Sequence, residues 1–313
     1  MNRAWILRGM LLVCALGLLA CTPKMQERSV PHREEWNRDI PLYGNVEKVT
    51  ISEYRYSEHV KSDAKEKKIY LFNSDGNVTN VQIEHSGRVT QYEEIEYDEN
   101  GTKIRKAVCY SDSYKYDIKY RYNRDGRLAE EVYMGLKNEI GKNGLDSRHS
   151  YRYDSNGNLI EESMKHYTDY GVDWKIVYRY DSKERLVEQY NYEMDEVERY
   201  TLFEYDGNNC ISRNEWDGKN RPLAKRLYKY DDTGRKIEES LYNHDGELFS
   251  KLSYKYDAQG NMVEFNDSFM TSKRYSYLHK YKYDAMGNMT EDMEYMPDMT
   301  PKRVIEYDIE YSK

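Results

Sequence analysis

Aromatic and charged residues alternate along much of this chain with a period of two. Tyr-x-Tyr recurs at 120–122, 151–153, 178–180, 228–230, 254–256 and 281–283, each time with Arg or Lys between the rings. Side chains two residues apart share one face of a strand, so each Tyr-x-Tyr predicts a strand with an aromatic face and a charged face. An Asp or Asn follows at once and a Gly three residues later, as in Asp98 and Gly101, Asn123 and Gly126, Asp154 and Gly157, Asp231 and Gly234, Asp257 and Gly260, and Asp284 and Gly287. This pair suits a type I turn, in which the side-chain oxygen accepts a local backbone hydrogen bond and Gly supplies the positive φ of a bulged hairpin. An apolar residue then opens the returning strand: Val78, Leu128, Leu159, Leu186, Ile211, Met262 or Met289. In two copies Lys103 and Lys236 stand there, with Ile104 and Ile237 one residue later, which predicts a bulge or register shift. Asn209 and Glu184 replace the Gly in two others; Asn tolerates positive φ, whereas Glu184 predicts an altered turn.

The Asp or Asn positions 73, 98, 123, 154, 181, 206, 231, 257, 284 and 308 define a near-regular repeat of two strands and two turns. One hairpin cannot bury a face alone, but a succession can, so the repeat predicts an all-β fold: tandem β-hairpins in a continuous antiparallel, twisted or coiled meander of about 18–20 strands. The array occupies residues 42–313, and nothing in it has helical rhythm or capping. Residues 43–56 are expected to supply the first strand and to cap the open edge.

Composition changes the picture twice. The chain of 313 residues has 56 acidic and 48 basic side chains, a net charge of −8, and its mean hydropathy is −1.03. Alone, that balance points to disorder and disfavours a nucleic-acid partner. The 34 Tyr against 5 Phe reverse the first reading, because a Tyr ring can pack in a thin sheet while its hydroxyl reaches water. A narrow, wet β-array is not a deep-pocketed globule. No nucleophile elbow, zincin, P-loop or dinucleotide signature occurs, and the seven His are scattered. The expectation is no enzyme, no cofactor and no metal. Asp154-x-Asn156-x-Asn158 departs from a calcium loop at Leu159 and Lys165 and reads as a turn.

At the N-terminus, Arg3 and Arg8 precede an apolar run from Met10 to Ala20, too short for the roughly 20 residues that span a bilayer. Residues 1–20 therefore read as a secretory signal. Leu18-Leu19-Ala20-Cys21 resembles the lipobox of bacterial lipoproteins, which implies that Cys21 carries a lipid and that the membrane is a partner through it. Thr22, where Asp would imply inner-membrane retention, implies the outer membrane. Residues 21–41, with three Pro and many charges, look like a tether. Cys109 and Cys210 remain as a bridge or, as their unlike places in the repeat favour, two lone thiols.

The string Tyr-x-Tyr-Asp-x-x-Gly-x-Leu/Met resembles the YD repeat of the rearrangement-hotspot (Rhs) family over about residues 69–311. That resemblance implies a secreted or surface β-repeat protein, often carbohydrate-binding; the large members enclose a C-terminal toxin in a β-shell. No DPxGL-type processing motif and no non-repeat C-terminal domain occur here, so toxin delivery is not implied. The closer likeness is to short lipoproteins made of such repeats.

Candidate binding residues lie where the repeat breaks. An inserted polar loop spans 135–148, and Tyr167, Tyr170 and Trp174 follow it, with Trp216 at a return turn. Exposed rings suit the apolar faces of sugars, although Tyr and Trp in such a repeat mostly form its core. These features point to an envelope lipoprotein whose β-repeat body is an interaction surface for glycan or protein. The alternative is a structural spacer or envelope assembly component without a small ligand. The two separate on whether Trp174 and Trp216 are exposed side by side.

Overall fold

A computed structural model of the protein describes residues 28–31, 39–64, 66–111, 115–135, 144–167, 171–269 and 274–312. The signal, Cys21, most of the tether and Tyr170 lie outside the described residues.

The repeat folds as its turn chemistry requires. The Asp154 amide donates to the Asn158 carbonyl at 3.0 Å and the Gly157 amide to the Asp154 carbonyl at 3.2 Å. Asp154 Oδ1 accepts from the amides of Asn156, Gly157 and Asn158 at 2.9, 2.8 and 2.9 Å, and Gly157 has φ +99°. The same backbone pattern closes the turns at Asn123, Asp231, Asp257 and Asp284. The pairing then shifts by one residue at the second Tyr of the unit, at Tyr97, Tyr153, Tyr180, Tyr230, Tyr256 and Tyr283. The bulge expected of the Gly hairpin is thus regular; of the two copies expected to shift further, the Asp98 turn closes one residue later, on the Lys103 carbonyl, whereas the Asp231 turn keeps the common pattern.

Two turns depart from expectation. Glu184 does not alter its turn: its amide donates to the Asp181 carbonyl at 3.0 Å and its φ is 61°, so the side chain is held in the conformation Gly takes elsewhere. Asn209 does not stand in for Gly. That hairpin is shorter, with Asp206 opposite Asn209 and Gly207 at φ +56°, the pattern of a two-residue loop with Gly first.

Each strand pairs antiparallel with the next, as expected of a meander, but the sheet is not open. Pro301–Tyr311 pairs with Val46–Ser57, placing Ile305 opposite Glu53, Tyr307 opposite Ile51 and Ile309 opposite Val49. Val46–Ser57 also pairs with Glu66–Phe72, so the segment expected to cap an edge closes the ring instead. The result is a closed barrel with 20 strands in its wall, to which the short strand Val60–Lys61 is appended. Strands about 4.8 Å apart and tilted by about 40° give a radius of roughly 20 Å. A separate two-stranded sheet joins Arg28–Pro31 to Asp39–Leu42.

The wall has two unlike faces. One holds both apolar clusters: Leu42, Val49, Tyr70, Ile305 and Tyr307 at the closure, and Ala107, Cys109 and Ile118 further round. It also holds the most buried charged groups, and it is the concave, inner face on which side chains converge. The outer face carries the middle residue of each Tyr-x-Tyr, paired with a Glu nine residues on: Arg121 with Glu130 at 3.0 Å, Arg179 with Glu188 at 2.8 Å and Lys255 with Glu264 at 2.8 Å. Their basic side chains are 62 to 68 % exposed, where each pair contributes about 0–1 kcal/mol.

Among the described residues no helix is long and apolar enough to cross a membrane. For the wall itself, a lipid-facing barrel needs an outward apolar band about 25 Å tall. In this wall charged pairs interrupt the outer face next to the Asp turns, and the inner face holds buried carboxylates.

Candidate functional site on the inner wall and the rim

In six units the second Tyr holds the spacing of the repeat. Tyr97, Tyr122, Tyr180, Tyr205, Tyr230 and Tyr256 each donate a hydroxyl to the carbonyl that opens the returning strand of the preceding unit. The acceptors are Val78, Ile104, Leu159, Leu186, Cys210 and Lys236, at 2.7 to 2.9 Å. The aromatic face is thus a ladder between hairpins as well as a packing surface. It surrounds buried charge in three places.

The first is His149, 1 % exposed. Its Nε2 is 3.2 Å from Glu162 Oε2, its Nδ1 is 2.8 Å from the Tyr151 hydroxyl, and Glu131 Oε2 is 3.7 Å from Nδ1. Tyr178 donates its hydroxyl to the other oxygen of Glu162, and Tyr133 to Glu131 at 2.9 Å. Burial opposes a charged imidazole, but the Glu131 and Glu162 carboxylates outweigh it and hold the His149 pKa above the usual value. Burial pushes Glu93, next along the wall, above the ordinary carboxylate range. In the second place Glu239 accepts from Arg226 at 2.9 Å and Lys236 at 2.7 Å. In the third, His279 Nδ1 is 2.9 Å from Asp292 Oδ1, with side chains 1 % and 0 % exposed.

His149, Glu239 and Asp292 are each paired with oppositely charged or hydrogen-bonding neighbours inside the wall. Among the described residues no three His, Cys, Asp or Glu side chains gather at a metal site. Cys109 and Cys210 are free thiols, and burial pushes Cys109 up to about 12, unsuited to nucleophilic work. A crevice of about 430 Å³ between the Asp154 and Asp181 turns is lined by Asn158, Tyr178, Tyr180 and Glu184; no nucleophile and base meet there.

The residues singled out in the sequence do not converge. Tyr167 is exposed at the end of its strand. Trp174 is half-buried on the inner face, its ring 5.2 Å from that of His149 in an edge-on contact. Trp216 stacks on Tyr200 with centroids 6.3 Å apart. Residues directly opposite in neighbouring strands share a face. Ile176, on the face of Trp174, lies opposite Asn191, Asn191 opposite Arg199, and Arg199 opposite Asp217. Trp216, next to Asp217, is therefore on the other face, and the two indoles are separated by the wall.

The two ends of the barrel also differ. The Asp-x-x-Gly turns share one end with Val46 and Tyr311, and Leu42 is buried there. At that end Tyr43 donates its amide to Asn288 Oδ1 at 2.6 Å, and its carbonyl accepts from Asn288 Nδ2 at 3.0 Å. The other end carries the return turns, where Val60, Tyr167, Met194, Leu223, Phe249, Tyr275 and Met299 are exposed. Sequence reasoning missed this rim. Its signal was apolar side chains at turn positions, Met194 before Asp195 and Met299 where Gly would be expected.

No family model matches the chain, and no curated protein matches it. Similar solved structures include a porin-like protein from Bacteroides uniformis, 10 % identical with TM-score 0.37, the match covering 85 % of this chain and 98 % of that one. A porin-like protein from Bacteroides vulgatus is 12 % identical with TM-score 0.34, covering 66 % and 98 %. A TcdB2-TccC3 chain is 10 % identical with TM-score 0.29, covering 85 % of this chain and 19 % of its own length. Likenesses this distant transfer no function. The membership of the YD-repeat family that the recurring string implied is corrected: no family model matches the chain. The string has a local cause, since a meander of bulged hairpins needs Asp to hold the turn, Gly for its φ and Tyr to tie one hairpin to the last.

Proposed function

We propose that the protein is a non-catalytic envelope component, held to a membrane by a lipid on Cys21, whose barrel is an interaction body for a glycan or protein partner. The observation that carries this reading is the separation of the two ends. Residues 39–45 join the wall at the Asp-turn end, whereas Gly135 and Gly144, which bracket the inserted loop, and Tyr167 belong to the return-turn end. A tether at the first end leaves the irregular loops of the second facing away, and loops displayed on a rigid scaffold are common binding sites. The outer membrane is the expected location, from Thr22 after Cys21.

Two measurements test it. Palmitate labelling in cells should be lost on Cys21→Ser, and unchanged labelling refutes the anchor. Glycan arrays and pull-downs with the Cys21→Ser chain should yield a partner, and none from either refutes the interaction surface. A second reading, a structural spacer or assembly component, is favoured by the placement of Trp174 and Trp216 on opposite faces.

A further inference from the structure

The residue that closes an Asp turn can reach toward the next hairpin. At Lys103, Arg127, Arg185 and Arg235 it is basic, and its charged end lies over the second Tyr of the following unit. The distances to the Tyr122, Tyr153, Tyr205 and Tyr256 rings are 5.3, 5.7, 4.9 and 5.2 Å, within cation–π range. Arg235 also bonds both turns that it lies between: Nε donates to Asp231 Oδ2 at 2.7 Å and Nη1 to the Asp257 carbonyl at 3.1 Å. Arg185 does the same with Asp181 and the Gly207 carbonyl. Four gaps between turns are thus filled by a cation of the chain itself.

The gap between the Asp154 and Asp181 turns is built differently. Asn158 stands in the Arg position and stays within its own turn, its Nδ2 donating to Asp154 Oδ2 at 3.0 Å. Tyr180, the second Tyr of the next unit, therefore borders the crevice of about 430 Å³, a size found among small-ligand sites, which run from roughly 300 to 1,000 Å³. A second departure from the repeat falls at the same place. The Cβ positions of Gly126 and Gly157 face Lys103 Nζ and Arg127 Nη2, whereas the corresponding residue here is Glu184, which lines the crevice with φ held at 61°. Glu184 thereby sets a carboxylate beside the place that the basic side chains occupy in the other gaps. Arg179, the basic residue among those lining the crevice, is paired with Glu188 at 2.8 Å.

The crevice thus presents what holds Arg185 and Arg235 in their own gaps. It has a Tyr ring, an Asp carboxylate from the turn before, and the Asp181 carbonyl, the counterpart of the Asp257 carbonyl that accepts from Arg235. We propose that it binds a guanidinium group on an alkyl chain, such as the arginine side chain of a partner protein. A planar guanidinium can lie on the ring while its N–H groups reach carboxylate and carbonyl together. Asn also stands at 261, before Tyr283, but Gly287 follows there and supplies no carboxylate, so the assignment is to the crevice beside Glu184. The site belongs to the Asp-turn end and is independent of the lipid on Cys21 and of any partner at the return turns.

The test is calorimetric titration of the full chain carrying Cys21→Ser with acetyl-Gly-Arg-Gly amide at pH 7. A dissociation constant on the order of 1 mM is expected for a single side chain. Acetyl-Gly-citrulline-Gly amide, which keeps the shape and lacks the charge, should bind about tenfold more weakly. Asn158→Arg should abolish binding, because the new side chain fills the gap as Arg185 and Arg235 fill theirs, whereas Asn261→Arg should leave it unchanged. If Asn158→Arg does not fold, Glu184→Gln is measured instead and should weaken binding about threefold. Binding of agmatine without the arginine peptide would keep the site and make its ligand a free guanidinium compound. Failure of both to bind overturns the proposal. So do equal binding of the citrulline peptide, binding unaffected by Asn158→Arg or Glu184→Gln, and binding lost with Asn261→Arg.

Discussion

The Nε2 of His149 lies 3.2 Å from Oε2 of Glu162, with the two side chains 2 % and 19 % exposed. Burial raises the Glu162 pKa, but hydrogen bonds from His149 and Tyr178 outweigh it and hold the carboxyl below its usual range. The imidazole is shifted the opposite way, above its ordinary value near 6.5. A group whose folded pKa is raised contributes stability that is fully present below the unfolded value and lost as pH rises through the folded one. Stability should therefore fall as pH climbs from about 6.5. Urea midpoints at half-unit steps from pH 6 to 9 should show this decline in the wild type and flatten it in His149→Gln. Equal slopes in the two proteins would remove His149 as the cause.

The Tyr ladder makes a second prediction. Tyr205 donates to the Leu186 carbonyl at 2.8 Å and Tyr256 to the Lys236 carbonyl at 2.7 Å. Removing one hydroxyl leaves a part-buried carbonyl without that donor, at about 1 kcal/mol. Tyr205→Phe and Tyr256→Phe should each cost about that much, and the double variant about the sum, because they act on separate hairpins. Tyr167→Phe, on an exposed ring, should stay within about 0.5 kcal/mol. Denaturant unfolding of the four variants decides it; equal effects at Tyr167 and Tyr205 would refute the ladder.

How much of this was legible follows from the range of each interaction. Tyr151, Tyr153, Asp154 and Gly157 act within one hairpin, so strand, turn and repeat could be read from spacing. Closure could not: it rests on Ile305 and Tyr307 finding Glu53 and Ile51 from the far end of the chain, which leaves no local pattern. The faces of Trp174 and Trp216 were hidden for a related reason. Both lie in strands, but which face each occupies depends on register carried across three pairings, with bulges at Asn191/Tyr192 and Glu204/Tyr205 on the way. The meeting of Glu131, His149 and Glu162 is likewise set by register between strands.

Acid should unfold the barrel through its turns. Asp98, Asp154, Asp181, Asp217 and Asp231 are all held below the usual Asp value near 3.8. For Asp231 the chief cause is the Thr233 hydroxyl, followed by the Arg235 amide. Depressed values contribute stability that is present above the unfolded pKa and lost as pH falls through the folded one. The loss should therefore begin below about pH 4. Asp231→Asn should fold normally at pH 7, because Asn73 and Asn123 hold equivalent turns, and should lose less stability between pH 4 and 2. Circular-dichroism melts across that range are the check, and parallel curves for the two proteins would rule the turn carboxylate out.

Glu184 gives the sharpest local test, because the chain itself supplies the comparison. Its φ of 61° places a side chain where the equivalent turns have Gly157, Gly234, Gly260 and Gly287, and its hydrogen bonds match theirs. The left-handed conformation costs an ordinary L-residue about 1–2 kcal/mol, partly offset because Gly loses about 0.5–1 kcal/mol more conformational freedom on folding. Glu184→Gly should thus stabilise the barrel by about 0.5–1 kcal/mol. Gly157→Ala should do the reverse by a larger amount, since its φ is +99°, where an L side chain is strained whatever the space around it. Measured by urea unfolding at pH 7, the two changes should have opposite signs. A loss of stability in Glu184→Gly would mean that the Glu184 side chain contributes more than its backbone conformation costs.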